Sequence, residues 1–169
     1  MAEIIKNGAL LDSAWTNGTV EQLAAGAQVV LPLADYLAFR AGSPAAEALA
    51  RAAVQLQPAD DVLQLAPLAA SLPLVVVVFP EFKEGRGYTQ ARLLRDRLGF
   101  KGELRAIGQI RADLVNHLAR CGFDAFELAD GENADVALAE LKRFSVAYQP
   151  DAAGAGAAGA GPLRRRYGA

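Results

Sequence analysis

The sequence predicts an α/β protein built from repeated βαβ units, with a mostly parallel sheet of about five strands preceded by an N-terminal β-hairpin. Apolar strand-like runs alternate with helical patterns from Arg51 onward, at the spacing of right-handed crossovers. The most apolar run, Leu74-Val75-Val76-Val77-Val78, shows no alternation, as expected of a parallel strand covered on both faces. Asn7-Gly8 stands between Ile4-Ile5 and Leu10-Leu11, the strongest short hairpin signal. Such strands make either an open three-layer sheet or half of a barrel. Periodicity does not separate the two.

Taken in order, residues 3–15 are expected to form the two-stranded ribbon. Val29-Val30-Leu31 has the composition of a short strand, and Pro32 suits the first position of a helix over Leu33–Phe39. Ala52–Leu56 is the next strand. Pro58, Asp60 and Asp61 then open a helix, because carboxylates in a first turn meet the positive end of its dipole; Pro67 ends it early. After the strand Leu74–Phe79, Thr89 has the side chain of an N-cap for a helix over 90–98. Ala91, Leu94 and Leu98 would face inward there, with Arg92, Arg95 and Arg97 largely outward and Gly99 as the stop. Glu103–Ile107 is a strand, Asp113–Arg120 a helix closed by Gly122, and Phe123–Leu128 another strand. Asn133 caps a helix whose Ala134, Ala137, Leu138 and Leu141 share one face. Ser145–Gln149 has the composition of a final strand.

A chain of 169 residues with 53% hydrophobic and 21% charged residues can build one ordinary globular core, placed at residues 1–150. Residues 151–169 are an Ala/Gly-rich segment ending in Arg164-Arg165-Arg166, expected to be a flexible, solubilising tail. The net charge of -2 gives no whole-chain footprint for nucleic acid. No apolar run approaches the roughly 20 residues of a membrane span, and Met1-Ala2-Glu3-Ile4-Ile5-Lys6 does not read as a secretory signal. The expectation is a cytoplasmic protein with neither a membrane nor a nucleic acid as partner. The single Cys121 can form no internal disulfide, and one His with scattered carboxylates offers no metal-ligand spacing. Neither a P-loop nor a Gly-x-Gly-x-x-Gly after a strand is present, so no cofactor is expected.

Candidate functional residues gather between Phe79 and Arg92, where a loop succeeds the carboxyl end of a strand. Gly85-Arg86-Gly87 before Thr89 has the outline of an anion cradle, with backbone N–H groups, a helix dipole and a guanidinium; its alternative is a tight turn with solvated charges. Asp113, His117 and Cys121 recur at every fourth residue, placing carboxylate, imidazole and thiol along one side of a helix. Cys121 also shares the core stripe of Leu114 and Leu118, where a free cysteine behaves as a small hydrophobe. In a parallel sheet Glu81, Gln109 and Glu127 fall at one edge, able to do acid–base work or simply to face solvent.

Gly85-Arg86-Gly87-Tyr88-Thr89, Ala91-Arg92-Leu93-Leu94-Arg95, Gly102-Glu103-Leu104-Arg105-Ala106 and Arg120-Cys121-Gly122-Phe123-Asp124-Ala125-Phe126 resemble a bacterial family of unknown function. Leu31-Pro32-Leu33-Ala34-Asp35 resembles it too. The resemblance covers residues 3–149, is specific across 79–126, and departs from the family pattern at Glu81 and Leu114. Members of that family are typically encoded beside assimilatory sulfite reductase. The resemblance therefore implies a sulfur-assimilation context with sulfite reductase as partner, and supplies neither a mechanism nor catalytic residues.

The expected role is that of an auxiliary protein acting on or beside the reductase through the 79–95 loop and helix. Arg86, Tyr88 and Arg92 are its recognition groups, since Arg offers planar bidentate donors and Tyr suits interfaces. Glu81, Gly87, Thr89, Arg105, Asp113, Arg120 and Cys121 complete the candidate set. Two other classes stay open. One is a small enzyme binding a sulfur or phosphate oxyanion at the loop, with Glu81, Asp113 or Cys121 supplying chemistry. The other is a homo-oligomerisation module pairing through an exposed sheet edge.

Overall fold

In the computed structural model, which describes residues 2–81 and 83–143, β1 (Glu3–Lys6) and β2 (Ala9–Asp12) form the expected hairpin. Asn7 and Gly8 have φ of 54° and 73°, the left-handed pair that a two-residue turn demands. β3 (Thr16–Asn17), β4 (Val29–Pro32), β5 (Ala52–Leu56), β6 (Leu74–Phe79), β7 (Glu103–Gly108) and β8 (Ala125–Phe126) then pair in parallel, each with the next in sequence. The hairpin is no appendage. β1 adds to β8 antiparallel, with Ile5 opposite Phe126, and closes one sheet in the order β2-β1-β8-β7-β6-β5-β4-β3.

Six strands run parallel where about five were expected, and with the two hairpin strands the described residues form one eight-stranded sheet. The hairpin strands merge with the parallel set, and two-residue elements such as β3 are too short to leave a periodic signal.

Among the described residues six α-helices accompany the strands: α1 (Val20–Ala24), α2 (Leu33–Ala41), α3 (Ala46–Ala50), α4 (Arg86–Arg92), α5 (Val115–Arg120) and α6 (Ala134–Lys142). Sequential strand order with right-handed crossovers places successive helices on the same side of a sheet. The packing agrees: Leu23, Tyr36, Ala91, Leu118 and Ala137 share one core with Val54, Val77, Phe79 and Leu104. Alternate strand residues Val30, Ala53, Leu74 and Val76 form a separate cluster, with Trp15 and Ile107 against it.

What covers this helix-free face is the curl of the sheet. Asp12 ends one edge strand and Thr16 begins the other. Four Cα steps reach at most roughly 14 Å, whereas seven strand spacings in a flat sheet would part the edges by roughly 33 Å. The sheet must therefore curl into a half-barrel, and the helix-free face becomes its interior. Of the two expected architectures, the three-layer one is ruled out by this short link.

Several elements differ from expectation. The helix expected after Pro58 is two 3-10 turns, Val62–Leu65 and Ala69–Ser71. Asp61 does cap, accepting the Leu63 N–H at 3.0 Å, but Pro67 leaves no length for an α-helix. α4 starts at Arg86 rather than beyond Thr89, and runs into a wider π-helical turn over Leu93–Arg97. Arg95, expected outward, turns in: it donates to the carbonyls of Phe100, Gly102 and Gly122, each at 2.9 Å, and to Asp124 at 2.8 Å. β8 covers only two residues of the expected Phe123–Leu128. Ser145–Gln149 and the Ala/Gly tail lie outside the described residues. Among those described, no helix is long and apolar enough to cross a membrane.

Candidate functional site

The chain leaves the end of β6 at Pro80 and enters α4 after Gly85, and α4 packs back over the strand it follows. Gly87 fixes how close that return is. It is buried, and a Cβ there would run into the ring of Phe79. Its glycine is therefore a packing requirement of helix on strand, a role different from an anion cradle. The first-turn N–H of Arg86 is taken by the Glu84 carboxylate at 3.0 Å, and the Arg86 guanidinium lies 3.5 Å from the same group. A carboxylate of the chain thus already occupies the position that an oxyanion would seek. From the far side Gln90, 5% exposed, donates to the carbonyls of Gln57 and Asp60 at 2.9 and 3.0 Å and pins α4 to the loop after β5.

Held this way, α4 presents Tyr88 and Arg92 toward α5. The Tyr88 ring meets Phe79 edge-on at 5.2 Å and the His117 imidazole at 5.0 Å. Cys121, the C-cap of α5, places its Sγ 3.9 Å from His117 Nε2. Phe123 closes the floor with its ring 5.8 Å from Phe79. The two helices thus bring phenol, imidazole and thiol into one row above an aromatic base, with Arg92 and Arg120 beside it.

Burial pushes the Cys121 thiol up from its ordinary value, and the guanidinium groups of Arg92 and Arg120 oppose that only in part. Burial also raises the Tyr88 phenol, helped by the neighbouring Cys121. At neutral pH the row is thiol and phenol rather than thiolate and phenolate. Such a surface donates hydrogen bonds and offers aromatic area; it is a weak nucleophile.

The other candidates do not converge with it. Glu81 and Asp113 are exposed and sit by cations two residues away, Lys83 at 3.4 Å and Arg111 at 3.6 Å. A 3-10 turn precedes α5, so Asp113 leaves the line that joins His117 to Cys121. Thr89 is exposed in the middle of α4. Glu81, Gln109 and Glu127 do share the carboxyl end of the sheet, as the pairing of Phe79 with Gly108 and Ala106 with Phe126 requires.

Arg105 is on the opposite face altogether. It is 4% exposed inside the curl, where it binds Glu103 and Ser13. The alternation Leu104-Arg105-Ala106 carried that signal, because neighbours on a strand face opposite ways. His117 enters the row through the same four-residue spacing that links it to Cys121. Trp15, Ser13 and Lys6, which line or support the interior, have no local sequence signature. Among the described residues no group of three His, Cys, Asp or Glu is placed to hold a metal ion.

No curated protein matches the chain. A family model does, over residues 53–158, a span that runs from within β5 through α6 and includes every residue of the α4–α5 row while leaving the hairpin and Trp15 outside. By that match the chain belongs to a family of bacterial proteins of unknown function, DUF934.

Proposed function

We propose that this protein is an auxiliary factor of assimilatory sulfite reduction that acts on or beside the reductase through its α4–α5 face. The observation that carries the reading is the row Tyr88–His117–Cys121 with Arg92 at its border. Tyr and Arg are the residues that protein interfaces concentrate at their energetic centres. Among the described residues Arg92 pairs with Asp96, at 3.1 Å, with both side chains more than 40% exposed. An exposed pair of this kind is worth little, so Arg92 can exchange Asp96 for a carboxylate of a partner at small cost. The pathway rests on the resemblance carried by residues 79–126.

The enzyme reading has less support. Its carboxylates lie against neighbouring cations, its cradle holds Glu84, and its thiol is protonated at neutral pH. A bacterial strain lacking the gene is expected to fail on sulfate and on sulfite and to grow on sulfide or cysteine. Wild-type protein should restore growth, and Arg92→Ala or Tyr88→Ala should not. Normal growth of the deletion strain on all four sulfur sources would overturn the proposal.

A further inference from the structure

The interior of the curl holds a second constellation, unrelated to the α4–α5 face. Parallel pairing stacks its inward residues in layers, as in larger barrels. Val76 and Arg105 lie side by side in one layer, and Val30, Ala53 and Leu74 lie below. Glu127 comes directly after Phe126, which pairs with Ala106, so it is level with Ile107 toward the carboxyl ends of the strands. A pocket of about 220 Å³ opens among Trp15, Asn17, Val76, Arg105, Ile107 and Glu127.

Its charges are arranged unevenly. Arg105 gives Nε–H and one Nη2–H to a single oxygen of Glu103, at 2.8 and 2.6 Å, and one Nη1–H to Ser13 Oγ at 2.8 Å. Of the five N–H donors of a guanidinium, two are left without a protein acceptor among the described residues. The other Glu103 oxygen is taken by Lys6 Nζ at 2.6 Å. Ser13 Oγ is also engaged, accepting from the Trp15 N–H and donating to the Trp15 carbonyl. Two cations therefore share one carboxylate, with the Arg105 side chain buried, that of Glu103 10% exposed and Lys6 part-exposed, and the buried guanidinium favours a further anion. Half-buried Glu127, in the same pocket, has no ion pair among the described residues and favours a cation.

We propose that this pocket binds a small α-amino acid as its zwitterion. The carboxylate lies on the free edge of Arg105, the ammonium on Glu127, and a compact apolar side chain against Val30, Val76 and Ile107. A simple anion would confront Glu127 and a simple amine would confront Arg105. The zwitterion satisfies both. The volume, that of roughly seven liquid waters, suits such a molecule and is too small for a nucleotide. A barrel mouth at the carboxyl ends of strands is also where this architecture places ligands.

Trp15 is the single tryptophan of the chain and lines the pocket, so its fluorescence reports occupancy directly. L-valine titrated into the full-length protein is expected to give a saturable change. Isovalerate and isobutylamine, each carrying one of the two charges, should bind at least about tenfold more weakly, as should L-valine to Glu127→Gln. Arg105→Gln should abolish the response but also threatens the fold, so the ligand series and Glu127→Gln carry the decision. No saturable change with L-valine at several millimolar would overturn the proposal. So would equal binding of isovalerate and L-valine. Neither result bears on the α4–α5 face.

Discussion

Replacing Arg95 by alanine removes a side chain that joins the end of the α4 segment to the entries of β7 and β8. Three of its bonds reach backbone carbonyls, of Phe100, Gly102 and Gly122, and the guanidinium lies 5.0 Å from the centre of the Phe100 ring. The side chain is 13% exposed, so little of this is screened, whereas its partner Asp124 is 43% exposed and that pair adds about 0.5 kcal/mol. Bonds to a charged group contribute about 1.5–3 kcal/mol each, but they share one side chain and are not additive. Water reaching some of the freed carbonyls lowers the sum further. We expect Arg95→Ala to cost about 3–5 kcal/mol, a third or more of the stability of an ordinary domain. Urea unfolding monitored by far-UV circular dichroism measures it. Arg95→Lys cannot span the same fork and should lose about half as much. A loss below about 0.5 kcal/mol for Arg95→Ala would refute the reasoning that this arginine ties the strand entries together.

Gly108 has φ of 99°, and a methyl there would press on the Phe79 carbonyl, which accepts the Gln109 N–H at 2.8 Å; Gly108→Ala should cost about 2–4 kcal/mol in the same assay, and an unchanged midpoint would contradict the geometry. Arg92→Ala, which removes one exposed pair, should change stability by less than about 0.5 kcal/mol while abolishing growth complementation; a large loss of stability would make it a structural residue. Cys121 should alkylate more slowly in the folded than in the unfolded protein at neutral pH, with a rate still climbing at alkaline pH; a plateau near neutrality would mean a thiolate. Because folding raises that pKa, its contribution to stability is complete below the ordinary thiol value and is lost as pH rises through the folded one.

The parts of the fold legible in the sequence are those whose pattern is local. Asn7-Gly8 announces the hairpin, Asn133 the cap of α6, and the unbroken Leu74–Phe79 run the central strand, and each takes its place for the reason its chemistry gives. Curvature is not local. It arises from the distance between Asp12 and Thr16 once β2 and β3 are known to be opposite edges, and pairing of β1 with β8 spans more than a hundred residues of chain.

The α4–α5 row is half legible. The spacing of His117 and Cys121 shows in the sequence, but their meeting with Tyr88 depends on how closely Gly87 lets α4 approach Phe79. Arg95 escapes a regular helical projection because the π turn at Leu93–Arg97 rotates the side chains within and beyond it. Arg105 shows the opposite case. The alternation around it is visible in the sequence, whereas the enclosure of the face opposite the helices, where a charge must find partners, is a property of the whole sheet.

The proposed role is tested most directly by the rate at which purified assimilatory sulfite reductase converts sulfite to sulfide, measured with and without this protein. A saturable rise in rate is expected with the wild-type protein, accompanied by complex formation. Folded Arg92→Ala and Tyr88→Ala should lose both. An unchanged rate with no complex at any protein concentration would contradict it.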